Sequence, residues 1–339
     1  MKKIILLLLF PLSVTYAGVA VADYSQHPEV GSFIERMVNE HKFDRQQVKN
    51  WMSQARHQKS IVDAMSRPAE KVKTWYDYRK IFITDLRIER GVEFWQENYQ
   101  TLKDVSEEYG VDPAIIVSII GVETNYGRNT GDHRVVDALS TLAFDFYTYN
   151  VKRESRKKFF TTQLEHLFLL AREQNQDPMS LKGSYAGAMG WGQFMPNSYR
   201  NYAVDYDDDG LADIWTNPAD VIASVANYFV EHGWKRGQPV ATRTLVMGKP
   251  DSSELNKLHL PKLSIAELEV KGYKPVASFD KSYKALPILL TGKYGDEYWL
   301  GLHNFYVIGR YNPRIKYAMA VYQLSTSIQG RYCDSVESC

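Results

Sequence analysis

DPAIIVSIIGVETNYG, from Asp112 to Gly127, is the stretch that decides how this chain is read. Asp112 followed by Pro113 is an N-cap with proline at the first helical position, where the missing N–H has no helical partner to lose. Ile115, Ile116, Ile119, Ile120 and Val122 form the broad apolar stripe of a helix at a domain centre, and Gly127 is a natural stop. Glu123 is the only charged residue between Asp112 and Gly127, and it falls in the last helical turn. The C-terminal end of a helix carries about half a negative charge, and the apolar neighbours would desolvate a carboxyl facing a cleft. Both effects disfavour the carboxylate and raise its pKa. A glutamate held protonated near neutral pH is the group that protonates a glycosidic oxygen. The plain alternative is a surface glutamate paired with Arg128.

Working outward, the segments at 29–40 and 90–109 read as helices in a polar-rich helical domain over 23–110. Beyond Gly127 the spacing predicts a helix over 151–173, where Phe160, Leu164, Leu167, Phe168 and Ala171 repeat at helical intervals. Another helix starts at Asn217-Pro218, cap then proline, and runs to Gly233. From 238 to 298 the texture changes to short β-branched or aromatic runs between Lys, Gly and Pro, as in a small β-rich insertion. A helical pattern returns over 300–324. The expected class is mainly α, of the α+β type. Its layout is a helical domain over 23–110, a core over 111–237 that resumes at 299–339 with the C-terminal tail, and a β domain inserted at 238–298.

Residues 1–22 read as a signal peptide rather than as structure. Lys2 and Lys3 precede an apolar run, and Ala20-Val21-Ala22 supplies the small-residue cleavage pattern. Cleavage is expected before Asp23. No later run reaches the roughly 18 apolar residues that a spanning helix needs, so the mature chain is expected to be exported and soluble, without a transmembrane segment. No cysteine lies near the leader to take a lipid. Lys+Arg number 41 against 40 Asp+Glu, a balance that argues against nucleic acid and against an anionic membrane surface as partners. The 23 tyrosines suit carbohydrate, since each offers an apolar face and a hydroxyl; the plain alternative for any one of them is core packing. Cys333 and Cys339 stand close enough in sequence to close a short loop in an oxidising compartment, and they join nothing distant.

Two further motifs lie downstream of Glu123. In GAMGWGQFMPNSY, Gly187 to Tyr199, the glycines Gly187, Gly190 and Gly192 permit close backbone approach to a ligand. Trp191, Phe194 and Tyr199 offer flat faces, and Gln193 offers an amide; a tight packing strip is the alternative. In DYDDDG, Asp205, Asp207 and Asp209 occupy positions 1, 3 and 5 of an EF-hand-like loop, Gly210 position 6, and Leu211 the carbonyl position 7. Position 12 is Thr216 instead of a glutamate. An exposed acidic turn is the alternative, but three converging carboxylates repel one another without a counter-ion. The expectation is a structural Ca2+, bound weakly, and no organic cofactor.

Taken together, GVETNYG, GSYAGAMGWGQFMPNSYRNYAVD, SVANYFVEHGW and FYVIGRYNPRIKYAMAVYQL resemble the membrane-bound lytic murein transglycosylase B family. The resemblance covers roughly 111–234 and 305–324. It implies a lysozyme-like α core with a helical domain and a β domain attached. It implies cleavage of the β-1,4 bond between N-acetylmuramic acid and N-acetylglucosamine, leaving a 1,6-anhydromuramyl end. Glu123 falls on the single catalytic acid/base, Ser184 and Gln193 on contacts to the N-acetyl sugar, and Tyr228, Tyr311, Asn312 and Tyr317 on cleft residues around the scissile bond. The family's calcium loop closes on a later aspartate, here Asp220. The implied partners are peptidoglycan glycan strands, with cell-wall synthesis or division enzymes as recruiting partners. The family name reflects a lipoprotein anchor whose cysteine is missing here, which favours a soluble periplasmic form.

Two other readings compete. A lysozyme-type hydrolase needs a second carboxylate, for which Asp132 and Asp137 are the nearest in sequence. A non-catalytic peptidoglycan-binding protein would have no use for a glutamate set among a full set of cleft residues.

Overall fold

The computed structural model describes residues 24–66 and 73–336, so the expected signal peptide lies outside the described residues. The N-terminal part is helical: Val30–Asn39, Arg45–Gln54, Lys59–Ser66, Trp75–Phe82, Asp85–Glu97 and Tyr99–Tyr109. Side-chain oxygens of Asp44, Thr74 and Thr84 accept the free N–H groups at three of their N-termini, the capping that these residue types favour. The segment 90–109 that reads as one helix is two. Asn98 turns its backbone out of helical geometry and its side-chain amide donates to the Phe94 carbonyl, so the chain restarts at Tyr99.

Helix Pro113–Thr124 is the axle of the molecule. Asp112 caps it by accepting from the Ala114 N–H at 2.8 Å. Apart from Pro113 and Glu123, every residue in it is buried, so it is covered all round instead of along one stripe, as a central helix must be. Helices Asp85–Glu97, Pro218–Glu231 and Ile315–Cys333 pack around it. One apolar cluster runs from Phe33 and Trp75 in the N-terminal helices through Ile116 and Ile120 to Val321 and Leu324. The helical domain and the core therefore share one interior.

Between Gln174 and Pro218 the chain is mostly irregular. It carries the strand Lys182–Gly183, paired with His133–Arg134 from earlier in the chain, and the short helix Pro196–Tyr202. Helix Glu154–Glu173 starts three residues later than its periodicity suggests, because Thr141–Asn150 before it forms a wider π-helical stretch.

The β-rich region is a five-stranded antiparallel sheet. The strand order is Leu263–Ser264, Lys284–Gly292, Gly295–Gly301, Ala241–Val246, Tyr273–Pro275. Its central hairpin turns on Lys293 and Tyr294, with Gly292 opposite Gly295. One side of this hairpin, through Leu286, Ile288, Leu290 and Trp299, joins the main core. Ala285 and Leu300 face a separate small core with Ile265, Leu268 and Tyr273. The last strand reaches Gly301, so the helical pattern read from 300 begins at His303 instead, and it breaks at Asn312 between His303–Tyr311 and Ile315–Cys333. Pro313 explains that break, since the residue before a proline is driven out of helical geometry. Among the described residues no helix is long and apolar enough to cross a membrane. Cys333 is disulfide-bonded; Cys339 lies outside the described residues.

Candidate active site

Helix Pro113–Thr124 ends immediately after Glu123, and it ends hard. Asn125, Tyr126 and Gly127 are all in left-handed backbone geometry, with φ of 53°, 61° and 77°. Two non-glycine residues in succession there are costly, and local contacts hold them. The Asn125 and Tyr126 N–H groups donate to Gly121 and Ile120 carbonyls. The Tyr126 hydroxyl donates to the Arg87 carbonyl at 2.8 Å, and the Arg87 guanidinium donates back to the Gly121 carbonyl at 2.8 Å. Gly127 has no substitute: a Cβ there would stand 2.4 Å from the Trp191 indole.

The glycine-rich strip is stitched to this turn. The Thr124 hydroxyl donates to the Trp191 carbonyl at 2.8 Å and accepts from the Gly127 N–H at 3.0 Å. On the strip's other side, the Tyr311 hydroxyl donates to the Gly192 carbonyl at 2.6 Å. Gly190 lets the backbone of Ile214 come so near that a Cβ would meet its carbonyl at 2.4 Å. The strip thus spans from the end of the Glu123 helix to the end of helix His303–Tyr311.

Glu123 keeps part of its surface accessible while protein atoms crowd its carboxyl. Burial pushes its pKa up to about 7, and the Tyr317 hydroxyl, which donates to Oε1 at 2.5 Å, lowers it in part. No other charged group contributes to the shift, and Arg128 forms no ion pair with it among the described residues. Burial, with Glu123 nearby, holds the Tyr311 and Tyr317 phenols well above the ordinary range, so both stay neutral O–H donors. The Tyr311 ring lies 4.6 Å from that of Tyr228 and 5.9 Å from that of Phe194. The arrangement is a carboxyl that half-titrates near neutrality, oriented by one phenol and walled by aromatic rings.

The other sequence candidates sort as follows. Tyr228 is buried, and its hydroxyl is engaged by the Arg310 carbonyl at 2.7 Å, so it contributes a ring wall. Gln193 sits at φ 53°, and its amide N–H groups donate to the Thr130 and Gly190 carbonyls, both at 3.1 Å. Its amide oxygen is left to accept. Ser184 accepts from the Ala188 N–H at 3.1 Å, fixing the turn that starts the strip. Asn312 is half-buried at the break before Pro313. Neither aspartate proposed as a second carboxylate is poised for chemistry. Asp137 is buried, paired with the Arg134 guanidinium, and accepts from the Arg56 N–H and the Gln58 amide. Asp132 is exposed.

In the acidic loop, carboxylate oxygens of Asp205, Asp207 and Asp209 lie within 4.8 Å of one another, and none is paired with Lys or Arg among the described residues. An all-oxygen trio with no cationic partner fits a hard divalent cation. The Leu211 carbonyl accepts from the Asp213 N–H at 2.8 Å. Asp220 is not part of that close group, but the Asp205 and Asp207 charges act on its carboxyl. It is buried at the start of helix Pro218–Glu231, and its two oxygens accept from the Tyr206 and Asp213 N–H groups at 2.8 and 2.7 Å, tying the two arms of the loop.

Asp213 occupies loop position 9 of the EF-hand pattern, but its carboxylate accepts from the Trp215 and Thr216 N–H groups and the Thr216 hydroxyl and so braces its own turn. Sequence reasoning missed two contributors. Thr124 and Arg87 act through backbone carbonyls, and nothing in their local sequence points to it.

Residues 25–326 match a family described as the transglycosylase SLT domain. The chain is 42% identical over 315 residues to the membrane-bound lytic murein transglycosylase B of Escherichia coli K12, covering 90% of this chain and 84% of that one. Among solved structures, the catenated lytic transglycosylase SltB1 from Pseudomonas aeruginosa is 47% identical, covering 91% of this chain and all of that one, with a TM-score of 0.86. The Escherichia coli lytic transglycosylase SLT35 in complex with calcium is 41% identical, covering 92% and 96%, with a TM-score of 0.81.

Proposed function

The chain belongs to the transglycosylase SLT domain family and is a lytic murein transglycosylase, and from that premise we propose that Glu123 is its single acid and base. The bond cleaved is the β-1,4 link from N-acetylmuramic acid to N-acetylglucosamine. Protonated Glu123 gives its proton to the leaving glycosidic oxygen. The acetamido oxygen of the muramyl residue bonds to the anomeric carbon as the leaving sugar departs, so no enzyme nucleophile is required. The muramyl 6-hydroxyl then displaces that oxygen and gives its proton to the Glu123 carboxylate. A 1,6-anhydro end forms, and Glu123 returns to its starting state.

The observation that carries this reading is the isolated Glu123 carboxyl, with its pKa raised to about 7 by burial. A group half-protonated near neutral pH is suited to donate and then recover one proton. Tyr317 orients it, and Tyr228 and Tyr311 wall the cleft. The Gln193 amide oxygen and the Ser184 and Asn312 groups are assigned to the substrate's acetamido and hydroxyl groups. The engagement of Asp137 in a structural ion pair argues against the hydrolase reading.

A calcium ion in the acidic loop would be held by Asp205, Asp207 and Asp209 with the Leu211 carbonyl and Asp220, which also ties the two arms of the loop. It would supply charge balance to the loop and take no part in the reaction. The leader-like run Lys2 to Ala22 would deliver the chain to the periplasm, where its substrate lies.

Product mass tests the reaction. Digestion of purified sacculi is expected to release muropeptides that end in 1,6-anhydromuramic acid, each lighter by one water than a hydrolytic product. Predominantly reducing ends would overturn the proposal and restore the hydrolase.

A further inference from the structure

A cavity of about 1060 Å³ opens at the other end of the Glu123 helix, lined at its base by Pro113, Ala114 and Ile115. Glu123 lies ten residues further along, about 15 Å at 1.5 Å per residue. The groove is therefore separate from the catalytic carboxyl while rooted in the same rigid helix. Its size is at the top of the range for ligand clefts, roughly 300–1000 Å³.

Five aromatic side chains line it: Trp95, Tyr99, Trp234, Tyr322 and Tyr332. Trp95 and Tyr332 stack on each other at 4.4 Å and 10°, making a stiff wall from two helices. Tyr99 beside them is 50% exposed, an open face with no packing duty. Of the charged groups in the lining, Arg236 and Asp112 are engaged, while the Lys103 and Glu107 side chains are exposed. Arg236 donates to the Glu107 and Glu108 carbonyls, and Asp112 caps its own helix. Also open for a ligand are the Tyr99 and Ser106 hydroxyls and the side-chain amides of Gln238 and Gln329, which make no hydrogen bond among the described residues. Flat aromatic faces with uncommitted hydroxyls and amides match a neutral N-acetylated sugar. The exposed Lys103 and Glu107 suit the charged ends of a stem peptide, so a free stem peptide is the competing ligand.

We propose that this groove is a second glycan-binding site, which holds a peptidoglycan sugar segment away from the segment at Glu123 and tethers the enzyme to the insoluble wall. The proposal rests on the glycan-cleaving reading above. A second contact on a polymer makes the catalytic encounter intramolecular and raises its effective concentration, so its loss is felt on sacculi and not on short soluble chains.

The test uses the full mature chain and two variants, Tyr99→Ala and Gln329→Ala, in exposed positions outside the catalytic machinery. On sacculi, KM is expected to rise about five- to tenfold, the scale of one lost aromatic or amide contact, with kcat unchanged. On a short soluble muropeptide glycan, both constants are expected to match wild type. In the Glu123→Gln background, calorimetry with the β-1,4 tetramer of N-acetylglucosamine is expected to find two sites, and one after Tyr99→Ala. Equal KM on sacculi, one site before substitution, or binding of a free stem peptide in place of the sugar tetramer would each overturn the proposal. None of these results touches the role of Glu123. Conversely, a Glu123→Gln protein that still cleaved would sink the catalytic reading, and the site count would be unaffected.

Discussion

At the scale of the residue, one carboxyl is proposed to carry the chemistry, and its environment sets when it can work. The Glu123 pKa is raised from 4.5 to about 7 by burial. Its acid form is the one needed first, so kcat/KM is expected to fall as pH rises through about 7. Replacement by Gln keeps the shape but removes the proton exchange, and general acid–base terms are worth about 10²–10⁴-fold. Turnover above about a tenth of wild type in Glu123→Gln would contradict the assignment. The same shift has a stability sign. A raised folded-state pKa favours the fold fully below 4.5, and that benefit is lost as pH rises towards 7. The span corresponds to at most about 3 kcal/mol. Glu123→Gln is therefore expected to gain melting temperature relative to wild type between pH 5 and pH 8, with the difference closing at pH 4.5. Tyr317→Phe acts in the opposite direction on the carboxyl. It removes the donor that lowers the Glu123 pKa, so the alkaline limb of the pH profile should move upward. Losing a hydrogen bond to a charged group costs about 1.5–3 kcal/mol, which sets a drop in kcat of at least about tenfold. An unshifted limb would remove Tyr317 from its orienting role. Glu123 was legible because a lone acid in an apolar helix has a definite electrostatic consequence. Its partner Tyr317 lies 194 positions away, and no local pattern connects the two; only the family resemblance did.

At the scale of the element, what could be read were starts and stops. Asp112-Pro113 and Asn217-Pro218 cap their helices as the residue types require. The break at Asn98 was hidden, because Asn in a polar helical run is merely unfavourable until its amide finds the Phe94 carbonyl. The π-helical stretch Thr141–Asn150 was hidden for a related reason. Its pattern of apolar and aromatic residues does not distinguish a wide helix from an α-helix; the structure does, through backbone bonds such as that from the Val151 N–H to the Phe146 carbonyl, five residues back. In the acidic loop, periodicity gave Asp205, Asp207 and Asp209, and the resemblance gave Asp220; the ties of Asp220 to the Tyr206 and Asp213 N–H groups depend on folding helix Pro218–Glu231 against the loop. That arrangement has a thermal consequence. A ligand that binds only the native state stabilises by RT ln(1 + [L]/Kd), about 2.7 kcal/mol at 100 Kd. Calcium is expected to raise Tm over chelator, and Asp205→Ala to abolish the rise while leaving turnover at 25 °C intact. Identical melts with calcium and with chelator would remove the ion from the loop.

At the scale of the whole molecule, stability and function are divided unequally between two cores. The main core joins the N-terminal helices, the Glu123 helix and the C-terminal helix, so the catalytic turn is braced from both ends of the chain. The satellite core holds Ile265, Leu268, Tyr273, Ala285, Leu300 and Leu302, and of these Leu302 adjoins the site through helix His303–Tyr311, which it caps. The central hairpin is shared, with one side in each core, while helix Ile265–Val270 and the edge strand Tyr273–Pro275 depend on the satellite alone. Regions with few buried apolar contacts open locally at lower free energy than the global unfolding. Leu268 is fully buried, and Leu→Ala in a core costs about 2–5 kcal/mol. Leu268→Ala is thus expected to speed amide hydrogen exchange over 263–275 while exchange in Pro113–Thr124 and turnover on a soluble glycan stay at wild-type levels. Ile120→Ala, the same kind of truncation in the main core, should lower both global stability and turnover, because the Ile120 side chain is fully buried in the packing that holds the Glu123 helix. If Leu268→Ala instead slowed catalysis as much as Ile120→Ala, the two cores would have to be one cooperative unit, and the inserted sheet would be part of what aims Glu123.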